Sequence, residues 1–157
     1  MFDIDYIMEL IDCNNSIENQ MRGIRLAQNI KCINAFLQPG TPYGGNVWDN
    51  CAKILYIKTD IELEPYIIKL LEWIQDFNWP GALTILDRLK IFSGEKLITP
   101  FMKFFSYAVS LQNEEGLMWL DNLSELLDNQ ELKKQLPDEA LETLQKHYHN
   151  WAWWYNE

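Results

Sequence analysis

The sequence predicts an all-α fold: a HEAT-like α-α superhelix of about three helical hairpins, closed at one end by an N-terminal helical cap. Three observations carry this. Apolar residues recur at three- and four-residue intervals along most of the chain, and no segment alternates as a strand does. Capping residues and prolines stand where these stripes begin. Proline-led segments also repeat. Leu63-Glu64-Pro65-Tyr66-Ile67 is echoed 35 residues later by Ile98-Thr99-Pro100-Phe101-Met102, and Pro137 follows after a further 37. Such a period is close to that of helical solenoids, whose hairpins stack because one hairpin cannot bury its own apolar face.

The elements follow in order. Residues 1–46 read as the cap, with a short helix near 3–13 and a longer one near 16–37. Asn15-Ser16-Ile17-Glu18 has the form of a capping box for the second. That helix carries Ile17, Met21 and Ile24 on one side and Leu26, Ile30, Ile33 and Leu37 on nearly the opposite one. It therefore bends near Gly23 or is covered on both sides. Gln38-Pro39-Gly40-Thr41-Pro42-Tyr43-Gly44-Gly45 breaks helix, and Asn46 is placed to cap the next one. Residues 47–157 supply the stacked hairpins: 47–58 with 65–76, 79–91 with 100–112, and 114–128 with 137–155, all within a single domain spanning 1–157. In each pair a proline opens the return helix, where its missing N–H costs nothing.

The segment from Trp73 to Ala82, Trp-Ile-Gln-Asp-Phe-Asn-Trp-Pro-Gly-Ala, joins the first two hairpins. Ile67, Leu70, Leu71, Ile74 and Phe77 form an apolar arc leading into it, with Lys69, Glu72, Gln75 and Asp76 opposite. Asn78 is expected to cap a new helix with Pro80 in its first turn. Trp79 would then plug the gap between hairpins.

Composition narrows the function classes. A chain of 157 residues, 48% of them hydrophobic, is long enough for one domain with a proper core. No apolar run approaches the roughly 18 residues of a membrane span. The acidic start Met-Phe-Asp-Ile-Asp does not read as a secretory signal. Cys13, Cys32 and Cys51 form no Cys-x-x-Cys pair, which points to free, buried thiols in a reducing cytoplasm rather than a disulfide or zinc framework. The net charge of −10 is uneven: residues 113–157 hold 10 acids against 3 bases. Such a surface repels phosphate backbones and attracts basic proteins.

"LLEWIQDFNWPGA" resembles a motif of a bacterial family of small proteins known only as a domain of unknown function. The matching residues are Leu71, Trp73, Ile74, Gln75, Asp76, Asn78, Trp79 and Pro80. "NEEGLMWL", residues 113–120, is similar to the family's acidic, tryptophan-bearing helix start, with Gly116 departing from the pattern. The resemblance implies a HEAT-like helical repeat with no catalytic residues to transfer. Small acidic bacterial proteins of this build often serve as immunity partners of secreted toxins.

The residues able to do chemistry have plainer roles. Trp73, Asp76, Asn78, Trp79 and Pro80 are accounted for by corner geometry. Glu72 and Asp76 share a helix face, but one turned to water. In the tail, Leu141, Leu144, Tyr148, Trp151 and Tyr155 make a core-facing stripe. His147 and His149 fall about 200° apart on a helix and cannot converge on one metal. Gly40, Gly44 and Gly45 lack the Gly-Lys-Ser/Thr of a phosphate loop. No catalytic residue, metal or cofactor is expected. The expected function is a non-enzymatic protein-binding module, most sharply an immunity protein that neutralises a basic toxin domain; the alternative is a general scaffold or adaptor. The expected docking residues are Glu114, Glu115, Asp121, Glu125 and Asp128, with Trp153 and Trp154 as exposed aromatic anchors.

Overall fold

A computed structural model describes residues 3–150, and among these every regular element is a helix or a 3-10 turn, with no strand. Helix α1 (Ile4–Leu10) starts where Asp3 accepts the amide of Tyr6 at 2.7 Å. Helix α2 (Ile17–Ala27) is capped by Ser16, which accepts the amide of Asn19. This corrects the expected Asn15 cap: the Asn15 side chain instead accepts from the Ser16 amide and the Asn19 side chain. The long helix over 16–37 is not formed either. It ends at Ala27, and only a 3-10 turn at Asn34–Phe36 follows. Ile17, Met21 and Ile24 thus lie on α2 together with Leu26, while Ile30, Ile33 and Leu37 belong to the segment after the helix. Gly23 is no bend; a Cβ there would meet Ile11 and Leu10 of the neighbouring α1.

Asn46 does not cap either. Its side chain donates to Asp12, and its carbonyl accepts from the Cys13 amide, so it ties the loop to the end of α1. A 3-10 turn at Gly45–Val47 leads into α3 (Trp48–Tyr56). Next come α4 (Asp60–Leu63), a 3-10 turn holding Pro65, and α5 (Ile67–Trp73). Thr59 and Glu62 make a reciprocal capping box at α4, and the bonds from Thr59 hold the Glu62 carboxyl below its usual range.

Helix α6 spans Ala82–Lys90 and α7 spans Gly94–Leu111. Pro100 therefore lies inside α7 and opens nothing, which corrects the proline-launch rule at its second position. The carbonyl that loses a partner belongs to Lys96, on an exposed stretch where water can supply the bond. At the other two positions the rule comes closer: Pro65 precedes α5, and Pro137 immediately precedes α10 (Asp138–His147). Between lie α8 (Glu114–Ser124), a 3-10 turn at Glu125–Asp128 and α9 (Gln130–Gln135). Gly116 fits its place in α8: a Cβ there would collide with the Ala108 carbonyl of α7.

Two of the three expected hairpins are not the main pairings, whereas the third, 114–128 with 137–155, is met within the described residues by α10 against α8. The main neighbour of α3 is α6, while α7 lies chiefly on α8 and α9, and α10 on α8. Helices α3 and α6 run the same way. Gly81 sits against Trp48 and Ala52 near their starts, and Arg88 reaches the Lys58 carbonyl at their ends. One continuous core fills the space between layers, with Ile54, Leu55, Leu70, Leu71, Trp73, Ile85, Leu89, Leu97, Phe101, Leu123 and Leu126 fully or nearly fully buried.

The layers are joined by a repeated device. A helix leaves its last carbonyls without partners, and here buried polar side chains from later in the chain take them. Asn50 of α3 donates to the Ile11 carbonyl after α1 at 2.7 Å. The Lys58 ammonium donates to Gln28 and Ile30 after α2. Arg88 of α6 donates to Lys58 after α3, and also to the Asp60 carboxylate at 2.6 Å. Asn122 of α8 donates to Ile74 and Gln75 after α5, at 3.0 and 2.9 Å. Asn129 donates to Leu89 and Phe92 at the end of α6, both at 2.9 Å, and its oxygen caps α9. Each clamp sits at 6% exposure or less. Replacing one with an apolar residue strands carbonyls in the interior, at about 1–3 kcal/mol per unsatisfied group. Asn122→Leu is therefore expected to lower the unfolding free energy by about 2 kcal/mol, read as a fall in the urea midpoint at constant m-value.

Candidate functional site

The corner that joins α5 to α6 is built from its own sequence. The Trp73 ring is fully buried, and its Nε1–H donates to the Pro80 carbonyl at 3.0 Å, closing the loop over the ring. Trp48 stands edge-on to both Trp73 and Trp79, with ring centroids 6.4 and 6.2 Å apart. Asp76 accepts the Asn78 amide at 2.8 Å, an Asx turn that folds the chain back. Asn78 itself is exposed, and α6 has no side-chain cap, so the capping role expected of Asn78 is not fulfilled. Pro80 lies before the helix rather than in its first turn. The residue that starts α6 is Gly81, at φ +84°, a left-handed conformation that an L side chain adopts with strain. A Cβ there would also stand 2.8 Å from both the Ala52 Cβ and the Trp48 carbonyl oxygen. The corner is a rigid joint, and Trp79 is left half-buried at its outer edge.

The five carboxylates expected to face a partner divide. Glu114 and Glu115 at the start of α8 are exposed. Asp128 is exposed too, but it already receives Lys90 at 3.1 Å and the Tyr148 hydroxyl. Burial raises its pKa, yet these two hydrogen bonds outweigh that and leave the carboxyl below its usual range. Asp121 and Glu125 are turned inward. Asp121 meets His147 Nδ1 at 2.7 Å and the Asn150 side chain at 3.1 Å. Glu125, at 2% exposure, meets both the amide and the ring of His149. These two carboxylates, expected on the surface, instead hold the end of α10 and the residues just after it against α8 and the 3-10 turn that follows α8. Helical periodicity misses this because the chain leaves helix at Tyr148, which turns both histidines toward the same stretch of chain. Other acids take up the outward role: Asp138, Glu139 and Glu142 of α10 are exposed. Trp153 and Trp154, with Trp151 and Tyr155 of the stripe, lie outside the described residues.

Two phenols bind carboxylates in the same manner. Tyr43 donates to Asp5 and Tyr148 to Asp128, and these bonds, with burial and the adjoining negative charge, push both phenols up to about 12. Because the folded values lie above the ordinary 10, the stabilisation is fully present below pH 10. It is lost as pH rises through about 12. An absorbance titration of phenolate is expected to show two late-titrating tyrosines. Asp5→Asn should return the first of them to about 10.

The cysteines correct the expectation of three buried thiols. Cys51 is buried, and burial pushes its thiol up to about 12, whereas Cys13 and Cys32 are exposed. A thiol reagent is expected to label two sites on the folded protein and the third only on unfolding. Among the described residues no group of three or more His, Cys, Asp or Glu side chains is placed to hold a metal ion, and no helix is long and apolar enough to cross a membrane.

Residues 49–147 match the family described as a domain of unknown function, DUF5071. The match takes in α3 to α10, with the tryptophan corner about a third of the way along, and leaves out the N-terminal cap. No curated protein and no solved structure matches the chain.

Proposed function

The chain belongs to the DUF5071 family, a domain of unknown function, and from that premise we propose a non-enzymatic protein-binding module that docks and neutralises a basic toxin domain. The observation that carries this reading is charge. Of the net −10, residues 113–157 contribute 10 acids against 3 bases. Glu114, Glu115, Asp138, Glu139 and Glu142 present that excess to solvent. Field complementarity of this kind speeds encounter with a cationic partner and disfavours nucleic acid. Supporting it is a framework made rigid by the carbonyl clamps, which holds charges in place before binding. The parallel course of α3 and α6 is in keeping with a HEAT-like superhelix, in which equivalent helices of successive repeats stack side by side. Under this reading the protein works in a reducing cytoplasm, where Cys13 and Cys32 remain thiols.

The test is to co-express the protein with the product of the adjoining gene and measure binding by calorimetry at low and high salt. A basic partner bound tightly, with affinity falling steeply as salt rises, is the expected result. Reversing Glu114, Glu115, Glu139 and Glu142 to lysine should weaken that affinity at least about tenfold while helix content is kept. An adjoining gene that encodes no toxic product, together with no basic protein co-purifying, would sink the reading. A general adaptor is the second reading, favoured by apolar side chains left exposed between α3 and α6; it differs in binding several partners weakly.

A further inference from the structure

The N-terminal cap and the start of α5 enclose a hollow of about 460 Å³. Its size falls in the range usual for small-molecule sites, roughly 300–1,000 Å³. One side comes from the loop after the cap's 3-10 turn, with Leu37, Pro39 and Thr41. The other comes from Pro65 and Tyr66 of the 3-10 turn before α5, and from Ile68 and Lys69 of α5 itself. The loop side is held in shape from below. Gln38, at 1% exposure, accepts the Thr41 hydroxyl at 2.8 Å, and the adjoining Leu37 is buried. A site whose walls are set before binding loses little on taking a ligand. The loop lies outside the family match and α5 within it, so an occupant would bridge the two parts of the chain.

The lining says what fits. Pro39, Pro65 and the half-buried Tyr66 offer stiff rings, surfaces that a flat apolar group covers without fixing flexible side chains. Lys69 is the one charged residue among those that line the hollow, and no carboxylate joins it there. The acids on either side in sequence stand outside: Glu64 meets Lys96 at 3.5 Å, and Glu72 meets Lys69 at 3.6 Å. Lys69 and Glu72 are both exposed to solvent, at 53% and 37%. An ion pair of that kind holds weakly, so the ammonium is able to turn to an anion inside the hollow. Two further polar groups of the lining are unspent: the Tyr66 hydroxyl and the Asn34 carboxamide make no hydrogen bond among the described residues. We propose that this hollow binds a small aromatic carboxylic acid, with its ring between Pro39, Pro65 and Tyr66 and its carboxylate on Lys69. The proposal is independent of the docking of a protein on α8 and α10, and it gives the cap a role of its own.

Phenylacetate, phenylacetamide and phenethylamine share a ring and differ in charge, and they serve as probes in an amide NMR titration of the whole chain. Phenylacetate should bind with a dissociation constant of about 1 mM, as suits a ligand of its size. The amides it shifts should cluster in residues 34–41 and 65–69. Phenylacetamide should bind about fivefold more weakly, and phenethylamine should not bind detectably. Acetate carries the charge without the ring and should bind at least about tenfold more weakly than phenylacetate. Lys69→Gln should bring phenylacetate down to the affinity of the neutral amide. Ile68→Asp, which adds a carboxylate at a wall position 47% exposed, should abolish its binding. Lys103→Gln removes an exposed lysine from outside the lining and should leave affinity within about twofold. All three positions are exposed, so helix content should match the parent. The inference is overturned if no probe binds, if the amine binds as well as the acid, or if Lys69→Gln leaves phenylacetate unchanged. It is overturned too if acetate binds as tightly as phenylacetate, which would mean an adventitious ion only, or if the shifted amides lie elsewhere.

Discussion

Gly94→Ala lowers the stability of the protein by about 3 kcal/mol, a large share of the 5–15 kcal/mol typical of a domain. Gly94 is the first residue of α7, and it lies against the backbone of α9. A Cβ on it would overlap the Leu132 amide nitrogen and stand 2.6 Å from the Glu131 carbonyl carbon and 2.8 Å from the Leu132 Cα. All three atoms are main chain, so no rotamer change relieves the clash. Either α9 moves away, taking the Asn129 clamp on α6 with it, or the first turn of α7 is lost. A thermal melt followed by circular dichroism should show the midpoint falling by roughly 6–12 °C. Gly45→Ala is the control. Its Cβ would meet only Pro80 at 3.8 Å, an ordinary contact, and its midpoint should match the parent. Equal melting of Gly94→Ala and the parent would mean that α7 and α9 are not this close.

Trp73→Ala is the second large effect, at about 4 kcal/mol. The indole is fully buried, and its removal leaves a void bordered by Trp48 and Gly81 and an unpaired Pro80 carbonyl. Trp73→Phe separates the two contributions. It fills most of the volume but restores no donor, so about 1–2 kcal/mol remains. Trp79→Ala, at a half-buried position, should cost distinctly less than the full void of Trp73→Ala. Urea unfolding followed by far-ultraviolet circular dichroism ranks the three without relying on the tryptophan emission that each variant alters. A larger loss for Trp79→Ala than for Trp73→Ala would show that the outer edge of the corner, not its centre, holds α5 to α6.

The corner shows how far local sequence reaches. Trp-x-x-Asp-x-Asn-Trp-Pro-Gly marks a turn between helices from residue types alone, and a turn is there, but the working parts shift. Asn78, expected to cap α6, is exposed, and it is Asp76 that accepts a backbone amide in the loop; Pro80, expected in the first turn of α6, lies before it, and Gly81, at positive φ, precedes the helix. A shift of one residue occurs at the start of α2, where Ser16 caps in place of Asn15. Neighbouring Asn, Ser and Asp residues all accept backbone amides, and only the path of the chain decides which one is in reach. Pro100 misled for a related reason. A proline is read as a helix start because it breaks a bond, yet an exposed carbonyl can bond to water instead.

The sequence by itself determined that this protein is helical, roughly where its helices lie, and that its charge is acidic and concentrated toward the end. Those properties follow from apolar spacing and residue chemistry, which act over a turn or two of chain. The tertiary structure alone decided which helices pair, which carboxylates stay on the surface, and which polar residues close the helix ends. Asp121 and Glu125 face histidines 26 and 24 residues away, and the carbonyl clamps span 28 to 48 residues. A carbonyl at a helix end has no partner within its own helix, so what satisfies it depends on how distant segments meet in space.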